Sequence, residues 1–193
     1  MTYKTFALME TGKHPDLIEF LTPICKSFCT DAGVEAADIG IQVLGGYGYL
    51  REYRIEQTLR DARICQIYEG TNGIHALTLA SRLTRHKDGA SAKAFEELIK
   101  DLLATSGTSN GLATELLEYW QQMTSKIITS DNPEQLSQHY MQISAATYGV
   151  ALWNTQTVQV SSDQAPRHEK YLDQVREWGA LTLASCKIRE ASN

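Results

Sequence analysis

The sequence is poor in the residues that interrupt helices, with four prolines in 193 positions, while Ala, Leu, Glu and Gln are common, a balance that leans towards helix. Positive charge is also short. Eighteen Lys and Arg stand against twenty-three Asp and Glu, a net charge of −5. No basic field exists to hold a phosphate backbone, so a nucleic-acid partner is not expected. Long apolar runs are missing too. The longest stretch without Asp, Glu, Lys or Arg runs from Gln135 to Ser162 and carries Gln142, Asn154, Gln156 and Gln159. That is too polar for a membrane span of about 20 apolar residues. The N-terminal residues Met1-Thr2-Tyr3-Lys4-Thr5-Phe6 contain no apolar run behind a basic start, so they do not read as a secretory signal. Cysteine is sparse as well, and Cys25, Cys29, Cys65 and Cys186 read as reduced thiols of a cytoplasmic protein. Cys25 and Cys29 share one side of a helix, but no His or second Cys pair follows at metal spacing, so packing is expected there and no metal site. What remains is an ordinary globular composition, 42% hydrophobic and 21% charged, which excludes collagen-like and disordered classes.

The periodic pattern that is present is helical. From Asp16 to about Val43, Leu17, Phe20, Leu21, Ile24, Phe28, Val34, Ala37 and Ile41 recur near a 3.6-residue period. Pro23 and Gly33 interrupt this run, so the helix is expected either to begin at Pro23 or to kink there. Gly45-Gly46-Tyr47-Gly48-Tyr49 ends it. A short helix is expected at Ile55–Ala62, and another starts at Thr71 or Asn72, both good caps. Lys87-Asp88-Gly89-Ala90-Ser91 reads as a hinge between two parts, residues 1–87 and 91–193. Four further helical stretches follow, near 92–104, 112–130, 133–160 and 167–190, separated by turns at Ser106–Gly111, Asp131–Pro133 and Asp163–Pro166. Leu112, Leu116, Tyr119, Met123 and Ile127 form one apolar stripe, and Tyr171, Val175, Trp178, Leu181 and Ile188 another. The expectation is an all-α, up-and-down antiparallel helical bundle with a second C-terminal helical part. The Trp and Tyr residues read as core packing before they read as a ligand pocket.

Chemistry is concentrated between Ile41 and Leu83, where two glycine turns bracket an unusual segment. Gly45-Gly46 after a helix is either a C-cap or a turn at which backbone N–H groups meet a phosphate; the full GxGxxG spacing is absent. Glu69 follows the apolar Ile67-Tyr68 and precedes a helix start. There it is either a capping carboxylate or a general base, since desolvation raises a carboxyl pKa while a helix N-terminus favours the anion. No Ser-His-Asp or Cys-His arrangement is readable, and His75 and His86 read as scattered surface or core residues.

Three strings carry a family resemblance: Gln42-Val43-Leu44-Gly45-Gly46-Tyr47-Gly48-Tyr49, Arg60-Asp61-Ala62-Arg63-Ile64, and Gln66-Ile67-Tyr68-Glu69-Gly70-Thr71-Asn72-Gly73-Ile74. In order and spacing this resembles the C-terminal helical domain of acyl-CoA dehydrogenases. The Asn72-Gly73 pair and the long helical extension are similar to the larger members, such as the 3-methylmercaptopropionyl-CoA dehydrogenase group. The resemblance implies α,β-dehydrogenation of an acyl-CoA thioester with FAD as cofactor, and an electron-transfer flavoprotein as acceptor. It implies Glu69 as the base that removes the α-proton and Gly70 beside the thioester. Thr71, Asn72 and Gly73 would form a flavin-contacting turn, and Gln42, Val43, Leu44, Gly45 and Gly46 would reach the FAD of a neighbouring subunit in a homo-oligomer.

Relatives of this kind also contain an N-terminal helical domain and a central β-domain around the flavin ring, and this chain has no β-rich segment. Alone it is therefore expected neither to retain FAD nor to dehydrogenate. A fragment and a separately encoded partner half are both compatible with that expectation. The alternative in a different class is a non-catalytic helical assembly module derived from the same family.

Overall fold

The computed structural model describes residues 1–106, 111–156 and 165–191. Among them there is no strand; the elements are α1 (Thr2–Thr11), α2 (Pro15–Leu44), α3 (Ile55–Cys65), α4 (Asn72–Leu77), α5 (Ala90–Thr105), α6 (Gly111–Thr129), α7 (Ser137–Gln156) and α8 (Ala165–Ala191). Two 3-10 turns, Gly45–Tyr49 and Arg51–Tyr53, link α2 to α3. A π-helical turn, Thr78–Leu83, prolongs α4. No described helix is long and apolar enough to cross a membrane, and no described cluster of His, Cys, Asp and Glu has the makings of a metal site.

Pro23 neither starts α2 nor ends it. The helix begins at Pro15, whose ring suits the first helical position, and Pro23 lies buried inside a single thirty-residue helix. Burial compensates for the backbone bond that Pro23 cannot donate, because Phe20, Leu21 and Ile24 around it are fully buried. Thr5 and Thr2 of α1 hydrogen-bond to Cys25 Sγ at 3.3 Å and Cys29 Sγ at 3.0 Å. Cys25 is buried, as expected of a packing residue, whereas Cys29 is exposed and meets only the neighbouring helix at its rim.

The centre of the molecule is aromatic. Phe20 of α2, Phe95 of α5 and Trp120 of α6 lie with ring centroids 5.0 to 6.1 Å apart, and Trp120 stacks on Tyr140 of α7 at 5.9 Å. Each polar tip has a partner: Trp120 Nε1 donates to Ser144 Oγ at 2.9 Å, and the Tyr140 hydroxyl meets Thr124 Oγ1 at 2.9 Å. α7 is the central helix, packed by α2, α4, α5, α6 and α8. The buried core runs continuously from Leu17 to Cys186. Lys87, Asp88 and Gly89, at the expected hinge, take φ of 49°, 54° and 76° and turn the chain sharply into α5.

The α6 stripe packs as its periodicity implies, but the α8 stripe does not. Tyr171, Leu181 and Ile188 are exposed, Val175 and Trp178 are half-buried, and the buried line is Leu172, Gly179, Leu183 and Cys186. The reason lies in two glycines. A Cβ on Gly179 would sit 2.6 Å from Val150 Cγ2, and one on Gly149 would sit 3.0 Å from the Trp178 ring. α7 and α8 therefore cross at glycines, which contribute nothing to an apolar stripe. Of the expected 133–160 stretch, residues 133–156 form a 3-10 turn, Pro133–Leu136, followed by α7, and residues 157–160 lie outside the described residues. The expected turns at Ser106–Gly111 and Asp163–Pro166 fall largely outside the described residues.

Candidate functional site: the Glu69 turn and the glycine turn

Beyond Cys29, α2 leaves the bundle. Between Cys29 and Tyr68 only Ala37 and Gly48 are buried. α3 lies against this outer half, with Ile55 Cδ1 3.0 Å from where a Gly40 Cβ would stand. The first glycine turn closes the end of α2: Gly45, at φ 57°, donates its N–H to Gln42 O. Gln42, Val43, Leu44, Gly45 and Gly46 are all exposed, and nothing lies within 4 Å of a Cβ built on Gly45 or Gly46. Gly48 is different. A Cβ there would meet Ile41 O at 2.6 Å, so the turn folds back directly onto the α2 backbone.

The second turn is tighter. Ile67 N and Tyr68 N both donate to Ile64 O, and Asn72 N donates to Gln66 O at 3.2 Å, which closes a loop around Glu69. Glu69 takes φ 54° and Gly70 φ 91°. Glycine accepts this conformation, but for Glu69 it costs roughly 1–2 kcal/mol. Thr71 then caps α4 through its side chain, accepting from Ile74 N at 3.2 Å. The Glu69 and Tyr68 side chains are exposed. The apolar residues before Glu69 therefore do not bury it within this chain, contrary to what the sequence suggests, because Ile64, Ile67 and Tyr68 point outward.

A polar network ties this turn to α2. Lys26 Nζ donates to Gly70 O and to Asn72 Oδ1, both at 2.8 Å. Asn72 Nδ2 donates to Asp31 Oδ1 at 2.7 Å and to Thr30 Oγ1 at 3.0 Å, and Gln66 Nε2 donates to Asp31 Oδ1 at 2.6 Å. His75 Nε2 lies 3.2 Å from Glu69 O. A ring nitrogen facing a carbonyl must carry the proton, which assigns this nitrogen as N–H. Burial, then the nearby Lys26 charge, pushes the His75 ring below the usual histidine pKa, with the bond to Glu69 O opposing.

Of the residues singled out in the sequence, the structure thus gathers Glu69, Gly70, Thr71, Asn72 and Gly73 at the head of α4. The segment Gln42–Gly46 lies elsewhere. From Lys26 to Gln42 is sixteen helical positions, about 24 Å along the α2 axis at 1.5 Å per residue. Lys26, Thr30, Asp31, Gln66 and His75 are the residues that sequence reading missed. The first three carry no motif, and the bonds from Lys26 span 44 and 46 positions.

The helical fold extends to a solved protein. Caenorhabditis elegans ACDH-11, in complex with C11-CoA, superposes on 90% of this chain and 31% of its own, with a TM-score of 0.75 and 22% identity. That likeness defines the class, an all-α domain of this architecture. Residues 1–84 match the family model "Acyl-CoA dehydrogenase, C-terminal domain". Similar curated proteins include the 3-methylmercaptopropionyl-CoA dehydrogenase of Ruegeria pomeroyi, 45% identical over 83 residues, covering 43% of this chain and 14% of that protein. An acyl-CoA dehydrogenase of Bacillus subtilis is 48% identical over 60 residues, 31% of this chain and 16% of its own. The chain thus spans about a sixth or less of the length of these relatives.

Proposed function

We propose that the chain is the base-bearing C-terminal portion of an FAD-dependent, cytoplasmic acyl-CoA dehydrogenase, with residues 1–87 as its family helical domain and 91–193 as an added helical domain. The observation that carries this is Glu69, an exposed carboxylate on a left-handed turn whose two backbone carbonyls are each held by a side chain. In this reading the Glu69 carboxylate takes the α-proton of an acyl-CoA thioester, and the Gly70 backbone lies beside the thioester. Bound FAD supplies the hydride acceptor, which an electron-transfer flavoprotein then reoxidises. The residues present suit a flavin in one respect: the Gly45–Gly46 turn is exposed, with nothing within 4 Å of a Cβ built on either glycine. The distance of that turn from Glu69 along α2 suits a contact with a neighbouring subunit's FAD, while Thr71, Asn72 and Gly73 would face the chain's own flavin. A base must be dry to act on so weak an acid. Because Glu69 is exposed here, the surface that excludes water comes from another domain or copy. The isolated chain is accordingly proposed to be inactive and to retain no flavin.

The test is Glu69→Gln in the complete or reconstituted enzyme, which should abolish turnover and leave association intact. Surviving turnover would remove Glu69 from the base role. A second reading, a helical assembly module without chemistry, is favoured by the apolar outer arm, where Val43 is 79% and Tyr49 80% exposed. It is supported if the isolated chain associates through this arm while Glu69→Gln changes nothing that can be measured.

A further inference from the structure

The Glu69–Gly70 turn is not held by its own side chains. Ile67 and Tyr68 are about half exposed. Two adjacent residues with positive φ, one of them a glutamate, need an external hold to stay populated. The Lys26 ammonium is placed for this. It reaches across from α2 and spends two of its three donors on Gly70 O and Asn72 Oδ1, at 2.8 Å each. Asn72 is itself pinned by Thr30 and Asp31, one turn further along α2, and Asp31 also fixes Gln66 at the start of the loop. Both ends of the loop and its central carbonyl are therefore referred to one short stretch of α2, Lys26 to Asp31, and the part of the helix before it is locked in the core through Phe20 and Ile24.

We propose that Lys26 is the positioning residue for the Glu69 carboxylate, acting through the backbone of the left-handed turn and without touching substrate. The catalytic half of this inference rests on the reading of Glu69 as base; the locking half stands without it. Lys26→Met keeps the length of the side chain and removes the donors, whereas Lys26→Arg keeps a cation with several donors.

The experiment uses the full 193-residue chain, isotopically labelled, in solution NMR. A residue with positive φ brings its own HN and Hα unusually close, so Glu69 gives a strong intraresidue HN–Hα NOE. In Lys26→Met this NOE is expected to fall to the level of ordinary helical residues, with the signals of Gln66 to Asn72 shifted or broadened. The Trp120 indole N–H, bonded to Ser144 in the core, stays in place, and Lys26→Arg restores most of the NOE. An undiminished Glu69 NOE in Lys26→Met overturns the proposal. Should Lys26→Met displace the Trp120 signal, Lys26→Leu, which also lacks donors, is judged by the same criteria. In the flavin-loaded enzyme, Lys26→Met should lower kcat on the order of tenfold to a hundredfold with little change in KM, and Lys26→Arg should recover it. An unchanged kcat overturns the catalytic half. Turnover surviving in Glu69→Gln overturns the base reading instead and leaves the NOE result, and so the lock, standing.

Discussion

The two halves of α2 live in different surroundings. Up to Ser27 the helix is enclosed by its neighbours α1, α4, α5 and α7, and its apolar residues Leu17, Phe20, Leu21 and Ile24 are buried. Past Cys29 the same helix, with α3 and the glycine turn, forms an arm whose apolar side chains Ile39, Val43, Leu44, Tyr47 and Tyr49 face outward. One half is spent on folding, and the other is left available for something outside the chain. Hydrophobic periodicity does not separate them, because an interior face and an interface are written with the same residue types.

The sharpest way to test the division is to damage the bundle. Trp120→Ala removes the central ring of the aromatic group and should cost about 3–5 kcal/mol in chemical denaturation. A cost below about 1 kcal/mol, the ordinary scale of a surface change, would mean the bundle is not the stabilising half. Alkali should find the same half. Burial raises the Tyr148 hydroxyl from 10.0 to about 12, so the fold keeps it protonated after the unfolded chain has ionised. Its contribution is present below pH 10 and is lost as pH rises towards 12, on the order of 2–3 kcal/mol by linkage. A unfolding free energy that stays level across that window, once other tyrosines are controlled with Tyr148→Phe, would contradict the burial.

Changes in the arm should be smaller. Gly48→Ala forces a methyl against Ile41 O and should cost about 1–3 kcal/mol, with amide exchange rising in the arm and unchanged around Trp120. If exchange rises throughout the molecule, arm and bundle are a single cooperative unit. Acid touches the junction between them. The folded pKa of His75 lies below its unfolded value, so its contribution is complete above the usual histidine range and declines as pH falls through it. His75→Ala should flatten that decline, read by denaturation at stepped pH. Smallest of all, Val43→Ser should alter stability by no more than about 0.5 kcal/mol while weakening any self-association seen in sedimentation. A large loss of stability there would show that the arm is packed in solution.

What could be read from the sequence was local. Caps at Thr71, the stop at Gly45 and the period of Leu17 to Ile24 lie within a few residues of what they control, and the helices follow them. The α8 stripe failed because two glycines, Gly149 and Gly179, set how closely α7 and α8 approach, and a residue without a side chain leaves no mark on a hydropathy pattern. Pro23 failed as a helix start because tertiary burial outweighed one missing bond. The string around Glu69 was legible as a motif, but its hold on α2 was not. Lys26 and Asp31 are ordinary charged residues of a helix until the fold brings position 70 beside them.

α2 also acts as a ruler. It carries the anchor of the Glu69 turn near its middle and the glycine turn at its end, with unbroken helix between. Each residue added between Lys26 and Gln42 would advance the glycine turn by 1.5 Å and swing it about 100° around the axis. A single insertion or deletion would thus aim the two turns in unrelated directions, while substitutions in the same stretch leave the gauge untouched. Tolerance to altered spelling, combined with intolerance to altered length, is the signature this helix should show.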